Sequence, residues 1–425
     1  MKKKIFIIWI LAIFCFLSAT FAVAGAAQKE KIVIGVYPDL DTAYKALLPK
    51  FQAKYPNIEV EIKSLGYADH HNNLVTTIAA GSGAPDVVAI EIGYIAKFVS
   101  MGGLVDLRRK PFNADRYKKN VVPFAWAQAT TDEGKLIAMP VDIAPGCAYY
   151  RRDIFASLGQ KIEDIKTLED LYNFGKKVTR DTNGDGKIDR WLIANAGDIA
   201  TLIIKTGPFF DKRGNCLVTT QRFKDAFTWA KKFRDAGMDA QIGAWTNEWY
   251  TCFKEGLIAY QPTGAWLGGH LQNWMAPETA GKWGVAPFPA LKAGQKPLMV
   301  SWGGSFLAIP QQSPHKEAAW KFIEYATTDV EAQMSSFKTT NAFPAWMPAW
   351  SGDYFKEKIE FLGGQQARLL WIDIAKQIPA IPTNKFDVVA NDLVNRALTQ
   401  VLSEGRDIDE ALAEAKEQIE RRTTR

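Results

Sequence analysis

Cysteine is scarce in this chain, and its few cysteines form no recognisable motif. Four of the 425 residues are Cys, and one of them, Cys15, lies in an apolar stretch near the N-terminus. The other three, Cys147, Cys216 and Cys252, show no C-x-x-C spacing, and an odd number leaves at least one thiol unpaired. One disulfide remains open among them, because the sequence does not choose the pair. A chain of this length can build its core without covalent staples.

Other features that would assign a function are also missing. The sequence contains no G-x-S-x-G, H-E-x-x-H or Walker pattern, which argues against the enzyme classes that those motifs mark. It has no long cluster of Lys and Arg, so it predicts no nucleic-acid partner. The formal net charge is +6, and three of the positive charges belong to lysines at the extreme N-terminus. After residue 27 no apolar run reaches the length of about 20 residues that crosses a bilayer.

The N-terminus has the three parts of a secretory signal peptide. Lys2–Lys4 form a basic start, residues 5–21 are apolar, and small residues follow. The alternative is a retained membrane anchor, but the small residues favour cleavage, and we predict that residues 1–26 are removed. A large residue, Phe14, precedes Cys15, where a lipoprotein has a small one. We therefore expect no lipid anchor and a freely diffusing periplasmic protein.

Short apolar segments alternate with amphipathic ones along the chain. Residues 31–37, 58–62 and 86–90 have the apolar or alternating pattern of strands, and the segments between them have the spacing of amphipathic helices. This order predicts a parallel α/β sheet, and the pattern recurs after Gly134. A mature chain of about 400 residues predicts two or more domains. Because there is no low-complexity linker, we expect ordered segments to connect the domains.

Several short motifs, in a fixed order, resemble those of a known protein family. Each motif is weak alone, but the ordered set spans nearly the whole mature chain. The motifs are Ala80–Val88, Gly102–Leu107, Leu136–Pro140 with Ala148–Asp153, Phe253–Gly256 with Gly264–Trp266, and Trp302–Gly304 with Ala319–Ile323. In these motifs the chain resembles the family 1 extracellular solute-binding proteins of ABC sugar importers, such as those for maltose and oligosaccharides.

The resemblance implies an α/β fold of the periplasmic-binding-protein type. In this fold two lobes are joined by crossing hinge segments, and the ligand lies in the cleft between the lobes. The crossings are expected near residues 139–144, 300–303 and 339–343. The expected N-terminal lobe contains residues 27–139 and 303–340, and the expected C-terminal lobe contains residues 140–302 and 341–425.

The resemblance also implies a function without catalysis. Hinge closure would capture a sugar, which a membrane ABC permease would then take up. The 14 tryptophans favour an oligosaccharide over a single ring, and we expect a monomer that requires no cofactor. The alternative is a secreted glycoside hydrolase, which would need two carboxylates that flank the scissile bond. The sequence does not place Glu91 and Asp142 finely enough to decide.

Trp266 is the first candidate for ligand contact. It follows a predicted strand within a Gly-rich turn, and the family uses a Trp at this position to stack on sugar. An indole ring covers the apolar face of a sugar and still offers its N–H. Trp302 and Gly303 lie at the second predicted crossing. Five further candidates follow predicted strands: Tyr37, Asp39, Glu91, Tyr94 and Asp142. Two more, Trp245 and Trp249, are four residues apart and could share one face of a predicted helix. For each of these seven, the alternative is a structural role in the core, in a turn or at a helix cap.

The sharpest local motif, residues 181–189, matches D-x-[DN]-x-[DN]-G, the first half of a calcium loop. The twelfth position of such a loop is usually a bidentate Glu, and here it is Leu192. The alternative is a tight Asx turn between a helix and a strand. The ligands of a structural Ca²⁺ would be Asp181, Asn183, Asp185, the carbonyl of Lys187, and Asp189.

Overall fold

A single path of paired strands runs through the molecule. The computed structural model describes residues 29–423, and the predicted signal peptide, residues 1–26, lies outside this range. Within the described residues the strands are β1 Glu30–Val36, β2 Ile58–Ser64, β3 Val87–Glu91, β4 Met139–Arg151, β5 Tyr260–Gly264, β6 Trp283–Ala286, β7 Ser301–Ala308 and β8 Phe343–Pro344. Their order is β2-β1-β3-β7-β4-β5, and β6 and β8 also pair with β4.

Helices connect most of these strands, and several begin at clear local signals. The predicted helix over residues 168–178 is confirmed, and it begins after Thr167, which forms a capping box with Asp170. The α-helices in this part of the chain are α1 Leu40–Lys54, α2 Tyr67–Ala80, α3 Ile92–Met101, α4 Pro123–Gln128, α5 Arg152–Ser157, α6 Leu168–Val178, α7 Gly197–Ile204, α8 Gln221–Asp235, α9 Asn247–Glu255, α10 Leu267–His270, α11 Lys316–Thr328, α12 Val330–Thr340, α13 Ala367–Ala375, α14 Asp387–Glu404 and α15 Ile408–Thr423.

The first three strands confirm the predicted parallel α/β unit. Ile34 of β1 lies beside Ile62 of β2 and Val87 of β3, in parallel register on both sides. The strand interiors are apolar because helices cover both faces of a parallel sheet. Asp86, which precedes β3, has a structural role: its carboxylate accepts hydrogen bonds from the Val33 amide, at 2.9 Å, and from the Ser313 hydroxyl, at 2.6 Å.

The long strand β4 passes from one half of the molecule to the other. Its first half pairs with β7, with Met139 beside Leu307, and its second half pairs with β5 and β6, with Tyr149 beside Gln261. The short strand β8 lies on the other side of the first half, with Ile143 beside Phe343. The three segments predicted as crossings therefore lie next to each other in the sheet.

Buried apolar side chains form two clusters, as expected for two lobes. The first surrounds β1, β3 and the start of β4, and the second surrounds α6, α7, α8, α14 and α15. Trp371 and Ile374, which the predicted boundaries assign to the C-terminal lobe, belong to the first cluster. The boundaries themselves stay a prediction. Helix α3 also packs against α14, so the two halves touch beside the sheet.

Two questions left by the sequence concern disulfide bonds and membrane-spanning helices. Cys147, Cys216 and Cys252 are buried free thiols, so no disulfide joins the cysteines that the structure describes. Over residues 29–423, none of the helices has both the length and the apolar character that a membrane crossing requires.

Candidate binding cleft

A row of polar side chains crosses the centre of the sheet. Glu91 of β3 lies beside Ser305 of β7, and Ser305 lies beside Asp142 of β4. Tyr37, which directly follows β1, donates a hydrogen bond from its hydroxyl to Ser305 Oγ at 2.8 Å. Glu91 is the last residue of β3, and α/β sheets bind ligands beyond the carboxyl ends of such strands. Three predicted residues, Tyr37, Glu91 and Asp142, therefore surround Ser305, which the sequence analysis missed.

Asp142 is strongly perturbed by its position in this polar row. Its side chain is buried, and its Oδ2 atom has no hydrogen-bond partner within residues 29–423. Burial raises the pKa of Asp142 to about 7, although hydrogen bonds from Ser305 oppose the shift, and the nearby charge of Glu91 adds to it. A buried acceptor without a partner is unfavourable by about 1–3 kcal/mol. Asp142 therefore contributes to the polar row a buried acceptor that no group within residues 29–423 satisfies.

Glu91 is held in place by its neighbours. Its Oε2 atom accepts hydrogen bonds from the Gly93 amide, at 2.7 Å, and from the Tyr67 hydroxyl, at 2.9 Å, so it caps the start of α3. Burial raises the pKa of Glu91. Tyr94, in the first turn of α3, stacks on His71, with ring centroids 4.0 Å apart and planes inclined by 12°. The predicted residues Glu91 and Tyr94 thus share one polar and aromatic wall.

His71 is a structural support for this wall, another residue that the sequence analysis missed. The Glu91 amide donates to His71 Nε2 at 3.1 Å, so the ring proton lies on Nδ1, which is 2.7 Å from the Tyr67 carbonyl oxygen. Burial lowers the pKa of His71 to about 4. The neutral ring fixes Glu91 and Tyr94 together. The ring of its neighbour His70 is hydrogen-bonded to the Ala89 carbonyl at 2.8 Å, and the two imidazole rings pack edge to face with centroids 5.0 Å apart.

Trp266 follows β5, which pairs with the second half of β4, so it lies in the half of the molecule that does not contain β3; its surroundings are called the second wall below. Its Nε1–H donates to the Trp302 carbonyl oxygen at 2.8 Å. The contact requires glycine at two positions. A Cβ at Gly264 would lie 2.5 Å from Trp266 Nε1. Gly303 has φ 132°, a backbone conformation that residues other than glycine rarely adopt. The structure therefore places Trp266 against the backbone of Trp302 and Gly303, whereas the indole of Trp302 packs on Phe288, with centroids 6.0 Å apart. Ligand contact by these residues stays a prediction.

Trp245 and Trp249 do not share a helical face, and that prediction is wrong. Helix α9 begins at Asn247, after the N-cap Thr246, so Trp245 lies outside it with φ 68°. Trp245 is 53% exposed and stacks on Trp266, with centroids 5.1 Å apart and planes inclined by 22°. Trp249 is 1% exposed and packs in the core beneath Trp245, so it supports the wall and offers no surface to a ligand.

The same wall contains two residues that the sequence analysis missed, His270 and Trp274. The ring centroids of Trp266 and His270 are 5.5 Å apart, and Trp274 Nε1 donates to His270 Nδ1 at 3.1 Å. Burial lowers the pKa of His270, and the charge of Asp39 opposes that shift. Asp39 follows β1, so a residue of the opposite wall lies within electrostatic reach of His270. The sequence did contain an indication of this surface, because Trp266, His270 and Trp274 are spaced four residues apart and therefore share one face of a helix.

The predicted calcium loop has the geometry of a closed turn. The carboxylate of Asp181 accepts hydrogen bonds from the amides of Asn183, Gly184 and Gly186 at 2.7–3.0 Å. Asp189 accepts a hydrogen bond from the Thr182 amide at 2.8 Å. Within the described residues, no group of three or more His, Cys, Asp or Glu side chains is arranged to hold a metal ion. Calcium binding at this loop stays a prediction.

Comparison with known proteins agrees with this architecture. The family described as bacterial extracellular solute-binding protein matches residues 36–333. The chain is 26% identical over 396 residues to the arabinooligosaccharide-binding protein of Bacillus subtilis (strain 168), covering 88% of each chain. It is 24% identical over 418 residues to the lactose-binding protein of Rhizobium radiobacter, covering 94% of this chain and 95% of that one.

A solved structure of a sugar-bound protein shares the fold of this chain. The ABC transporter associated binding protein of B. animalis subsp. lactis Bl-04, in complex with β-1,6-galactobiose, superposes with a TM-score of 0.74. It is 27% identical, and the match covers 92% of this chain and 96% of that chain. With the family match over residues 36–333, this chain belongs to the bacterial extracellular solute-binding proteins, which have a two-lobed α/β fold.

Proposed function

We propose that this protein is the sugar-binding component of an ABC importer and that its ligand is an oligosaccharide. The observation that carries the proposal is the pairing of two unlike walls. Trp266 and Trp245 present indole surface on one wall, and Asp142 and Glu91 present carboxyl acceptors on the other. The relatives named for arabinooligosaccharides and for lactose support a carbohydrate ligand.

The chemistry of the two walls suits a carbohydrate. A sugar ring has apolar C–H faces, which stack on indole, and a rim of hydroxyls, which need acceptors and donors. The unpartnered Oδ2 of Asp142 accepts a hydroxyl hydrogen without giving up a protein bond. A neutral sugar can make both kinds of contact, stacking and hydrogen bonding, so the proposed ligand carries no charge.

Hinge closure is the proposed mechanism. The walls belong to segments that meet where β4, β7 and β8 pair, so small changes in these strands would change the distance between the walls. A ligand that touches both walls binds the closed form more tightly, and only that difference in affinity shifts the population toward it. A membrane permease would then recognise the closed shape, and the protein would act in the periplasm after its signal peptide is cleaved.

The geometry favours binding over hydrolysis. A glycoside hydrolase places two carboxyl groups on either side of the scissile bond. Here Glu91 and Asp142 lie on the same wall, two strands apart, and Glu91 is already held by the Gly93 amide and the Tyr67 hydroxyl. Incubation with labelled oligosaccharides should release no product, and detectable release would overturn the binding role.

Sugar binding is proposed to require no cofactor. The residues of both walls offer hydroxyl, carboxyl, indole and imidazole groups, which bind a sugar directly. If the loop at residues 181–189 takes calcium, the ion would stabilise that loop alone, since the loop belongs to neither wall.

A thermal-shift screen over a panel of oligosaccharides tests the proposed function. A ligand at 100 times its Kd stabilises the folded state by about 2.7 kcal/mol and raises the unfolding temperature. Trp266→Ala should abolish that rise. The matched control is Trp229→Ala in α8, whose ring packs under Lys232 away from both walls. If no sugar shifts the unfolding temperature of the wild-type protein, or if Trp266→Ala retains the full shift, the proposal fails.

A further inference from the structure

The aromatic surface continues beyond Trp266. The centroid of His270 lies 5.5 Å from that of Trp266, and the centroid of Trp274 lies a further 5.6 Å from His270. Tyr250 packs against Trp274 with its centroid at 5.2 Å. Trp245 and Trp274, at 53% and 51%, are the most exposed large apolar side chains within residues 29–423. A single exposed apolar side chain needs no explanation, but two tryptophans on one continuous ring surface do.

The fold holds Trp245 in this position against a local conformational penalty. Its φ of 68° is a left-handed conformation, which is unfavourable for a bulky residue. Thr246 fixes the turn on both sides: its hydroxyl donates to the Gly243 carbonyl at 3.0 Å and accepts from the Trp249 amide at 3.1 Å. The result is an indole that stacks on Trp266 and meets the edge of His270. Strain of this kind is typical of functional positions.

His270 contributes a hydrogen-bond donor to the same surface. Because an indole N–H only donates, His270 Nδ1 must accept from Trp274, and the ring proton lies on Nε2. Nε2–H has no partner within the described residues and is free to donate to a ligand. Stacking surface on both sides of one donor is the combination that a sugar ring requires.

We propose that Trp245, His270 and Trp274 form an outer subsite, which holds the additional rings of a neutral oligosaccharide whose first rings lie at Trp266. The inference rests on the proposed function and adds the chain length of the ligand, which is three rings or more. The rings of Trp266, His270 and Trp274 pack edge to face, with planes inclined by 64° and 72°, so they form an angled surface. The two most exposed indoles, Trp245 and Trp274, lie on either side of His270 and can each cover one sugar ring. The subsite is continuous with Trp266, and the charge of Asp39, which follows β1, acts on His270.

Calorimetric titration with sugars of increasing length tests the outer subsite. The probes are α-1,5-linked arabino-oligosaccharides and maltodextrins of two to five rings, titrated into the full mature protein. In the wild-type protein, affinity should rise from the disaccharide to the tetrasaccharide. Trp274→Ala should reduce the ratio of these two affinities about tenfold, and Trp274→Phe, which keeps an aromatic ring, should retain most of it. Leu369→Ala, an exposed apolar residue of α13, is the control and should leave the ratio unchanged.

The outcomes separate the outer subsite from the proposed function. If the wild-type affinity does not rise beyond the disaccharide, or if Trp274→Ala lowers every affinity equally or lowers none, the outer subsite is overturned and the proposed function stands. If no sugar binds the wild-type protein, the proposed function fails, and the subsite fails with it. If Trp274→Ala binds every sugar normally but loses uptake in vesicles containing the importer, the exposed indole contacts the permease, and the outer subsite is overturned.

Discussion

The substitution Gly264→Ala tests the packing that positions Trp266. An added Cβ would lie 2.5 Å from Trp266 Nε1, 2.7 Å from Trp266 Cδ1 and 2.6 Å from the Trp302 carbonyl oxygen. The carbonyl belongs to the β7 crossing and cannot move without shifting the strand. The indole must therefore leave its position, and it then loses its 2.8 Å hydrogen bond to Trp302.

The size of the effect follows from these contacts. Overpacking of a filled site destabilises the folded state by about 1–3 kcal/mol. The lost hydrogen bond adds about 1 kcal/mol. We therefore expect the free energy of unfolding to fall by about 2–4 kcal/mol. The displaced indole also loses its stacking on a bound sugar, so we expect the affinity to fall about tenfold, which corresponds to about 1.4 kcal/mol.

Two measurements and one control decide the outcome. Calorimetric titration gives the sugar affinity, and thermal unfolding gives the stability. Gly352→Ala is the control, because its Cβ would meet open space and its φ of −76° is ordinary for alanine. If Gly264→Ala binds sugar with wild-type affinity while keeping its unfolding temperature, the close contact between Trp266 and β7 does not exist as described, and the reasoning about the wall is refuted.

Three further predictions concern groups outside the aromatic surface. The folded protein keeps a proton on Asp142 up to about pH 7, whereas the unfolded chain releases it near pH 3.9, so the free energy of unfolding falls as the pH rises through this range. Asp142→Asn removes this titration, so the variant should unfold at a higher temperature than the wild type, by a margin that is larger at pH 8 than at pH 5. Burial raises the pKa of Cys147 to about 12 and of Cys252 to about 11, so Ellman's reagent should find no fast thiol in the native mature protein and three after denaturation, and a count of one would reveal a disulfide. EDTA should leave the sugar affinity unchanged, and a loss restored by calcium would give residues 181–189 a role in binding.

Local sequence patterns predicted much of the architecture. The strands β1, β2 and β3 and the helix α6 follow from apolar periodicity and capping residues, which act over a few neighbouring positions. Tyr37, Glu91 and Asp142 were candidates because they lie at the ends of β1 and β3 and in the first crossing, and ligands bind at the carboxyl ends of strands. These predictions needed no knowledge of which strands pair.

Pairing between distant segments decided the rest of the site. Ser305 joins the polar row only because β7 lies between β3 and β4, a placement that no local pattern encodes. The four-residue spacing of Trp245 and Trp249 suggested one helical face, but the chain turns at Thr246 and separates an exposed indole from a buried one.

The sequence by itself determined the α/β class, the order of the first strands and the family, because these depend on periodicity and on ordered motifs. Only the tertiary structure decided which indoles face the cleft, which carboxyl group is left without a partner, and which histidine has a free donor. Burial and hydrogen bonding depend on the whole set of neighbours in space. Residue 142 acquires its neighbours from β7, and residues 245 and 270 contact each other although a strand and a helix separate them in the chain.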